Sequence, residues 1–394
     1  MTSKGREKMK APQGVTAPEE AIHFYEEALK KDRNFDLAYL GIAEANLVLY
    51  REKNGKLFLH RALDAARRAV QLNDTSPTAH YELANAYQAM SMKKETVEEL
   101  KKVVSLSPNS DDGHRGLGKA YLALGQKDLA VQAYQKAITL NSYYWLNYNA
   151  AGQAYSQLGE YDKALAAFQR IIELEPDNSF GYLNAGVIYF QEGKYDQSIP
   201  FFQKALQIRP DYLTYSNLGT AFFFLKRYSE AVAMFEKAVA MDRGDIMLMS
   251  NMADSYRSLG KQDKARAAYQ RAIYLGNEEL KTNPKDASTM DLIAIDYAKM
   301  GDALQAHSLI KRARAIDKKN VNYIYDEAVI YALSGKTSEA LTALQESFEK
   351  QYSVQEAIND PELDSLRNSP EFKRLIDKYS KQAAVPPVAA QSPK

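Results

Sequence analysis

The chain contains no cysteine, so a disulfide framework and a thiolate metal site are both excluded, and with them a small bridge-stapled secreted scaffold. It lacks any long apolar run. Nothing approaches the roughly 18 residues that a spanning helix needs, and the mean hydropathy of -0.47 agrees. It also lacks an excess of charge. Lys+Arg 51 stand against Asp+Glu 50, a formal net charge of +1. That balance argues against nucleic acid and against a membrane surface as partners, because such binding depends on clustered, unneutralised basic charge. No secretory signal is evident, since the polar stretch from Met1 to Lys10 has no apolar segment behind it, and the expected location is the cytoplasm. Glycine (19) and proline (13) are sparse for 394 residues, which favours helix over a many-turned β chain.

What the sequence has is repetition. Glycines stand at Gly125, Gly159, Gly193, Gly260, Gly301 and Gly335, with Lys226 filling the rung missing between Gly193 and Gly260. An aromatic ladder runs in parallel through Tyr87, Tyr121, Tyr155, Tyr189, Phe222, Tyr256, Tyr297 and Tyr331. Small residues recur at Ala130, Ala164, Ser198, Ala231, Ala265, Ala306 and Ala340. Seven positions on they are followed by Ala137, Ile171, Ala205, Ala238, Ala272, Ala313 and Ser347. The period is close to 34 residues, the signature of a stacked-repeat architecture.

Each period reads as two helices. Tyr148, Ala151, Gly152 and Tyr155 are spaced by threes and fours, and Gly159 closes that helix in the left-handed conformation. A second helix follows from Asp162, burying Ala164, Leu165, Phe168, Ile171 and Ile172, until Pro176 stops it. Two helices of about fourteen residues are each marginal alone, so they hold by packing on each other and on the next pair.

The units resemble tetratricopeptide repeats. The run Tyr182-Leu183-Asn184-Ala185-Gly186-Val187-Ile188-Tyr189, with Gly193, Ser198, Phe202, Ala205 and Pro210, meets nearly every preferred position of that family. With Gly152, Gly186 and Gly219 at unit position 8, full units begin near Pro77, Asp111, Trp145, Ser179, Tyr212, Ile246, Ala287 and Val321. Asp36 to Ser76 reads as a unit stretched by a loop around Arg51 to Lys56, and Pro18 to Phe35 as a half unit. A further insertion lengthens the connection from Gly276 to Asp286. The resemblance implies an all-α solenoid, a right-handed superhelix of antiparallel helix pairs. The expected organisation is a disordered tail over 1–16 and an array over 17–352 of about nine full repeats after an N-terminal half repeat. Capping helices over 353–380 and a disordered alanine- and proline-rich tail over 381–394 complete it. Within the cap, Asp360-Pro361-Glu362-Leu363, Leu366-Arg367 and Ser369-Pro370-Glu371-Phe372 resemble the end of repeat regions in bacterial signalling proteins, among them serine/threonine kinases and adenylate cyclases.

Catalytic chemistry finds little support. Gly113-His114-Arg115-Gly116-Leu117-Gly118-Lys119 has the spacing of a phosphate-binding loop, but Ala120 stands where Ser or Thr is needed and no strand precedes it. His80 and His114 lie one period apart, on the order of 10 Å on stacked helix pairs, too far to share an ion. No catalytic residue, metal site or cofactor is expected. The basic run Lys311, Arg312, Arg314, Lys318 and Lys319 is diluted by Asp302 and Asp317 and reads as a solvated face.

The expected function is a non-catalytic scaffold binding an extended peptide or a partner helix in a concave groove. The alternative is a docking region of a bacterial signalling enzyme, of serine/threonine kinase or adenylate cyclase type, whose catalytic domain lies elsewhere. Positions 4, 7, 8 and 11 of each first helix form the packed stripe, leaving positions 2, 6, 9 and 13 to face a partner. At position 6 stand Asn184, Asn217 and Asn251, whose amides suit a peptide main chain. Around them the expected groove residues are Phe180, Leu213 and Met247, then Val187, Thr220 and Asp254, with Gln191 and Phe224. An acidic chaperone tail is not expected, because the required lysine and asparagine positions are not supplied together; Arg115 with Lys119 comes nearest.

Overall fold

The computed structural model describes residues 18–383 apart from 54 and 243. Among them the only regular elements are helices, in two compact units on either side of the Lys194–Tyr195 bond. In the first unit the helices are α1 (Pro18–Lys31), α2 (Asp36–Lys53), α3 (Lys56–Leu72), α4 (Pro77–Ala89) and α5 (Lys93–Leu106). After them come α6 (Asp111–Ala123), α7 (Lys127–Leu140), α8 (Trp145–Gln157), α9 (Tyr161–Leu174) and α10 (Ser179–Gln191). The second unit runs through α11 (Tyr195–Ile208), α12 (Tyr212–Phe224), α13 (Tyr228–Met241), α14 (Ile246–Ser258) and α15 (Gln262–Thr282). It continues with α16 (Ala287–Lys299), α17 (Ala303–Ile316), α18 (Val321–Leu333), α19 (Thr337–Glu349) and α20 (Val354–Asn359). A 3-10 turn (Pro361–Leu363) and α21 (Pro370–Ala383) close the described chain. The tails expected over 1–16 and 381–394 lie outside the described residues, save that α21 reaches Ala383.

Within each unit an even-numbered helix packs on the odd-numbered one after it, and that one on the next even-numbered helix: α4 on α5 and α5 on α6, α14 on α15 and α15 on α16. Local chemistry sets the boundaries. Ser76, Ser110, Asp211, Asp245 and Asp286 each accept the backbone N–H three residues on, which caps an even-numbered helix at the residue where the repeat begins. At the turn inside a repeat the chain goes left-handed: Gly125 has φ +74° and the next amide, Gln126 N–H, bonds back to the Tyr121 carbonyl at 2.9 Å. Lys226 (φ 59°) fills the missing rung in that same conformation, as does Ser91 (φ 59°) in its own unit.

Both small-residue ladders are buried at the helix crossings, with Ala205 and Ala238 wholly inaccessible. Glycine at position 8 makes room for the aromatic ring of the partner helix: a Cβ on Gly219 would lie 2.7 Å from the Phe235 ring. Ala205→Leu or Ala238→Leu is therefore expected to destabilise by about 1–3 kcal/mol through overpacking, read as a lower urea midpoint. A midpoint equal to the parent's would contradict this packing.

Two stretches expected as loops are helix for much of their length. The residues around Arg51 to Lys56 extend α2 to 18 residues and α3 to 17, because nothing between Leu49 and Lys53 breaks a helix before Gly55. The insertion after Gly276 lengthens α15 to 21 residues. Gly276 does not end that helix. It lies in close packing, where a Cβ would meet Ile293 Cγ2 at 2.4 Å.

The three glycines of the phosphate-loop look-alike lie inside α6, two of them buried, and Ser110 caps that helix. His80 is a buried structural residue: Nδ1 meets the Glu99 carboxylate at 2.5 Å and Nε2 donates to the Asp74 carbonyl at 2.8 Å. At the same unit position His114 donates to the Pro108 carbonyl and Tyr148 to the Ser142 carbonyl, both at 3.1 Å. Position 4 is thus a hydrogen-bonding anchor for the preceding turn. Of the basic run, Arg314 is committed to Glu327 and Glu346.

Candidate interaction site

In the first unit α2, α4, α6 and α8 line a cavity of about 900 Å³. Unit positions 5 and 9 supply its walls: Tyr81 and Asn85 from α4, Arg115 and Lys119 from α6, Asn149 and Gln153 from α8. Gln88 and Gln157 add further amides near the helix ends, while Leu47, Leu100, Leu122 and Tyr134 give apolar surface. Burial pushes the Tyr134 hydroxyl up to about 12, so it stays neutral. Sequence reasoning missed position 5. At 100° per residue it falls beside positions 2, 9 and 12 on one stripe, so the signal was present in the spacing.

Arg115 is held in place. It donates to Asn147 Oδ1 at 2.7 Å, pairs with Asp112, and lies 5.3 Å from the Tyr144 ring centroid. Asn147 is wholly buried and donates in turn to the Ala137 carbonyl at 3.1 Å. Arg51 and Lys119 are exposed, and among the described residues neither has an ion-pair partner.

The expected groove residues divide between the two units. In the first, Asn184 is half-buried and donates to Asn149 Oδ1 at 2.8 Å, which ties position 6 of one repeat to position 5 of the one before. Phe180 stacks on Trp145 with centroids 5.8 Å apart, and Gln191 Oε1 accepts from Ser156 at 2.9 Å. Val187 is half-buried. In the second unit Asn217 and Asn251 are half-buried, with no hydrogen-bond partner for either amide among the described residues. Leu213 and Met247 are exposed, Phe224 stacks on Tyr195 at 4.7 Å, and the Thr220 hydroxyl donates to the Ser216 carbonyl.

Asp254 has a different setting. It binds Lys299 Nζ at 2.7 and 2.8 Å and accepts from the Tyr269 hydroxyl. Beside it Arg257 grips both oxygens of Glu362, which lies on the 3-10 turn 105 residues further along, and Lys299 stands 3.6 Å from the same carboxylate. Burial opposes the charge on Lys299, but Asp254 and Glu362 outweigh it and hold its pKa above the ordinary value. One residue pair on, Tyr325 donates to Asp360 at 2.6 Å and stacks on Tyr352 at 4.0 Å. Leu363, Leu366 and Phe372 are buried with Tyr325, Val329, Leu344 and Phe348 in one core. The segment from Ser353 therefore does more than cover α18 and α19: its turn also reaches Arg257 and Lys299, at unit positions 12 and 13 of α14 and α16.

Burial raises the carboxyls of Asp291 and Asp326, each in the other's presence, and it pushes Asp296 up to about 7 although Ser250 donates to it at 2.6 Å. Among the described residues no group of three or more His, Asp or Glu side chains is placed to hold a metal ion. No helix there is long and apolar enough to cross a membrane.

Family models described as tetratricopeptide repeat match residues 77–110, 116–144, 148–178, 180–244 and 245–319, more than half of the chain. No curated protein matches significantly. Solved structures similar to the chain include MamA, at 29% identity over 40% of this chain and 92% of that one, with a TM-score of 0.35. Another is YrrB, described as a TPR protein with an unusual peptide-binding site, at 25% identity over 51% and 97%, with a TM-score of 0.37. A tetratricopeptide repeat protein from Parabacteroides merdae is 18% identical over 64% and 97%, with a TM-score of 0.47. With a 34-residue period, capped helix pairs and family models over more than half of its length in agreement, the chain belongs to the tetratricopeptide repeat family.

Proposed function

We propose that the chain is a non-catalytic interaction scaffold that binds an extended peptide or partner helix along its inner helices, the even-numbered first helix of each repeat. The observation that carries this is the cavity of about 900 Å³ in the first unit, walled by amides, tyrosines and cations on packed helices. Amides that donate and accept at once suit a peptide main chain, and rigid helices hold them in place without an ordering cost.

Gln88 and Gln153 are exposed on α4 and α8 and contribute nothing to the core. Their double replacement by alanine should leave melting unchanged. It should weaken a partner captured on the intact chain by roughly fivefold to a hundredfold, two contacts of about 0.5–1.5 kcal/mol each. The asparagine ladder provides the second arm. If Gln88→Ala/Gln153→Ala binds like the parent while Asn184→Ala/Asn217→Ala/Asn251→Ala binds weakly, the partner lies along the ladder instead. If both variants are stable and bind normally, the inner helices are not the binding surface.

A further inference from the structure

We propose that the groove of the first unit selects an acidic peptide, an inference that rests on reading that groove as the binding site. The chain as a whole balances Lys+Arg 51 against Asp+Glu 50, yet Arg51, Arg115 and Lys119 line the cavity and no carboxylate does. Arg115 is already satisfied by Asp112 and Asn147. Arg51 on α2 and Lys119 on α6 are exposed, with no ion pair among the described residues. The inner helix α4 comes between these two in the repeat order and contributes Asn85 and Gln88. Carboxylates spaced along an extended segment would meet the two cations while its main chain meets the amides. Leu47, Leu100 and Leu122 offer contact for an apolar side chain between them.

A second observation comes from the other unit, whose inner helices hold a segment of this chemistry. The stretch Asp360-Pro361-Glu362-Leu363 places one carboxylate against Arg257 and Lys299, another against the Tyr325 hydroxyl, and buries Leu363 completely. Inner-helix cations in this chain therefore take a carboxylate from a short segment with an adjacent apolar anchor. Nucleic acid fits less well, because two unpaired cations can neutralise few phosphates.

The test is display selection of random dodecapeptides on the intact chain, repeated on Arg51→Glu/Lys119→Glu and on Gln88→Ala/Gln153→Ala, with melting measured for each. The proposal expects enriched peptides to be rich in Asp and Glu and to lose affinity about tenfold or more on the charge-reversed variant, with binding to the parent falling as salt is raised. Enriched peptides that are neutral or basic, yet weakened by the glutamine variant, would overturn the acidic preference and leave the groove standing. Peptides indifferent to both variants, or no enrichment at all, would overturn both readings. A labelled uridine dodecamer that binds the parent as tightly as the best peptide, and is lost on charge reversal, would assign the groove to nucleic acid and overturn the proposal.

Discussion

Truncating the chain before Ser353 is expected to unravel its C-terminal end. The missing segment buries Ala357, Leu363, Leu366 and Phe372 against Tyr325, Val329, Leu344 and Phe348. It also supplies Glu362 to Arg257 and Asp360 to Tyr325. Each large apolar side chain is worth about 1.5–3 kcal/mol when buried, so the loss amounts to several kcal/mol at the end of an array whose stability comes from neighbour contacts. Leaving Lys299 and Arg257 with Asp254 as their one remaining ion-pair partner among the described residues adds an electrostatic cost of the same sign. Hydrogen exchange near Tyr331 should quicken and light scattering should show association. Leu363→Ala provides a milder version, expected to cost about 2–5 kcal/mol. A truncated chain that stays monomeric, with exchange near Tyr331 unaltered, would show that the segment is an appendage.

The same end of the molecule should lose stability as pH rises from the acid side towards neutrality. Asp296 is 1% exposed, and its carboxyl is raised from 3.8 to about 7 by burial, with Asp254 adding to the effect and Ser250 and Lys299 opposing it. Asp291 and Asp326 are raised in the same direction by burial, with Asp360 adding to the effect on Asp326. Below 3.8 both the folded and the unfolded chain carry the Asp296 proton, and its contribution is complete. Between there and about 7 the unfolded chain ionises first, so each step up in pH favours unfolding until the folded carboxyl loses its proton too. The full span corresponds to roughly 4 kcal/mol for Asp296. Urea midpoints should therefore fall between about pH 4 and about pH 7, and Asp296→Asn should flatten the profile. Parent and variant profiles of the same slope would contradict the burial of this carboxyl.

Periodic, local features of this fold were legible in the sequence. Pro77, Asp111, Trp145, Ser179, Tyr212, Ile246, Ala287 and Val321, read as unit starts from the register of the tetratricopeptide resemblance, are each the first residue of a helix. Capping and left-handed turns depend on a few adjacent residues, and a period of 34 repeats the signal many times over. The insertions were harder, since runs such as residues 51–53 and 277–282, free of Gly and Pro, can extend a helix as readily as form a loop, and Gly276 is held inside a helix by packing. The site was only partly legible. Helix geometry located the inner surface, but the open cavity lies among Tyr81, Arg115, Lys119 and Asn149, repeats ahead of most of the asparagine ladder. The pairing of Glu362 with Arg257 spans 105 residues and depends on where the terminal segment folds back, which no local pattern encodes.

Amide hydrogen exchange of the intact chain, with and without a saturating selected peptide, tests most directly whether the inner helices are the binding surface. The account predicts slowed exchange in Asp36–Lys53, Pro77–Ala89, Asp111–Ala123 and Trp145–Gln157, the helices that wall the cavity, with little change in Lys93–Leu106, Lys127–Leu140 and Tyr161–Leu174. Slowing confined to the latter three helices, or to the second unit alone, would contradict it.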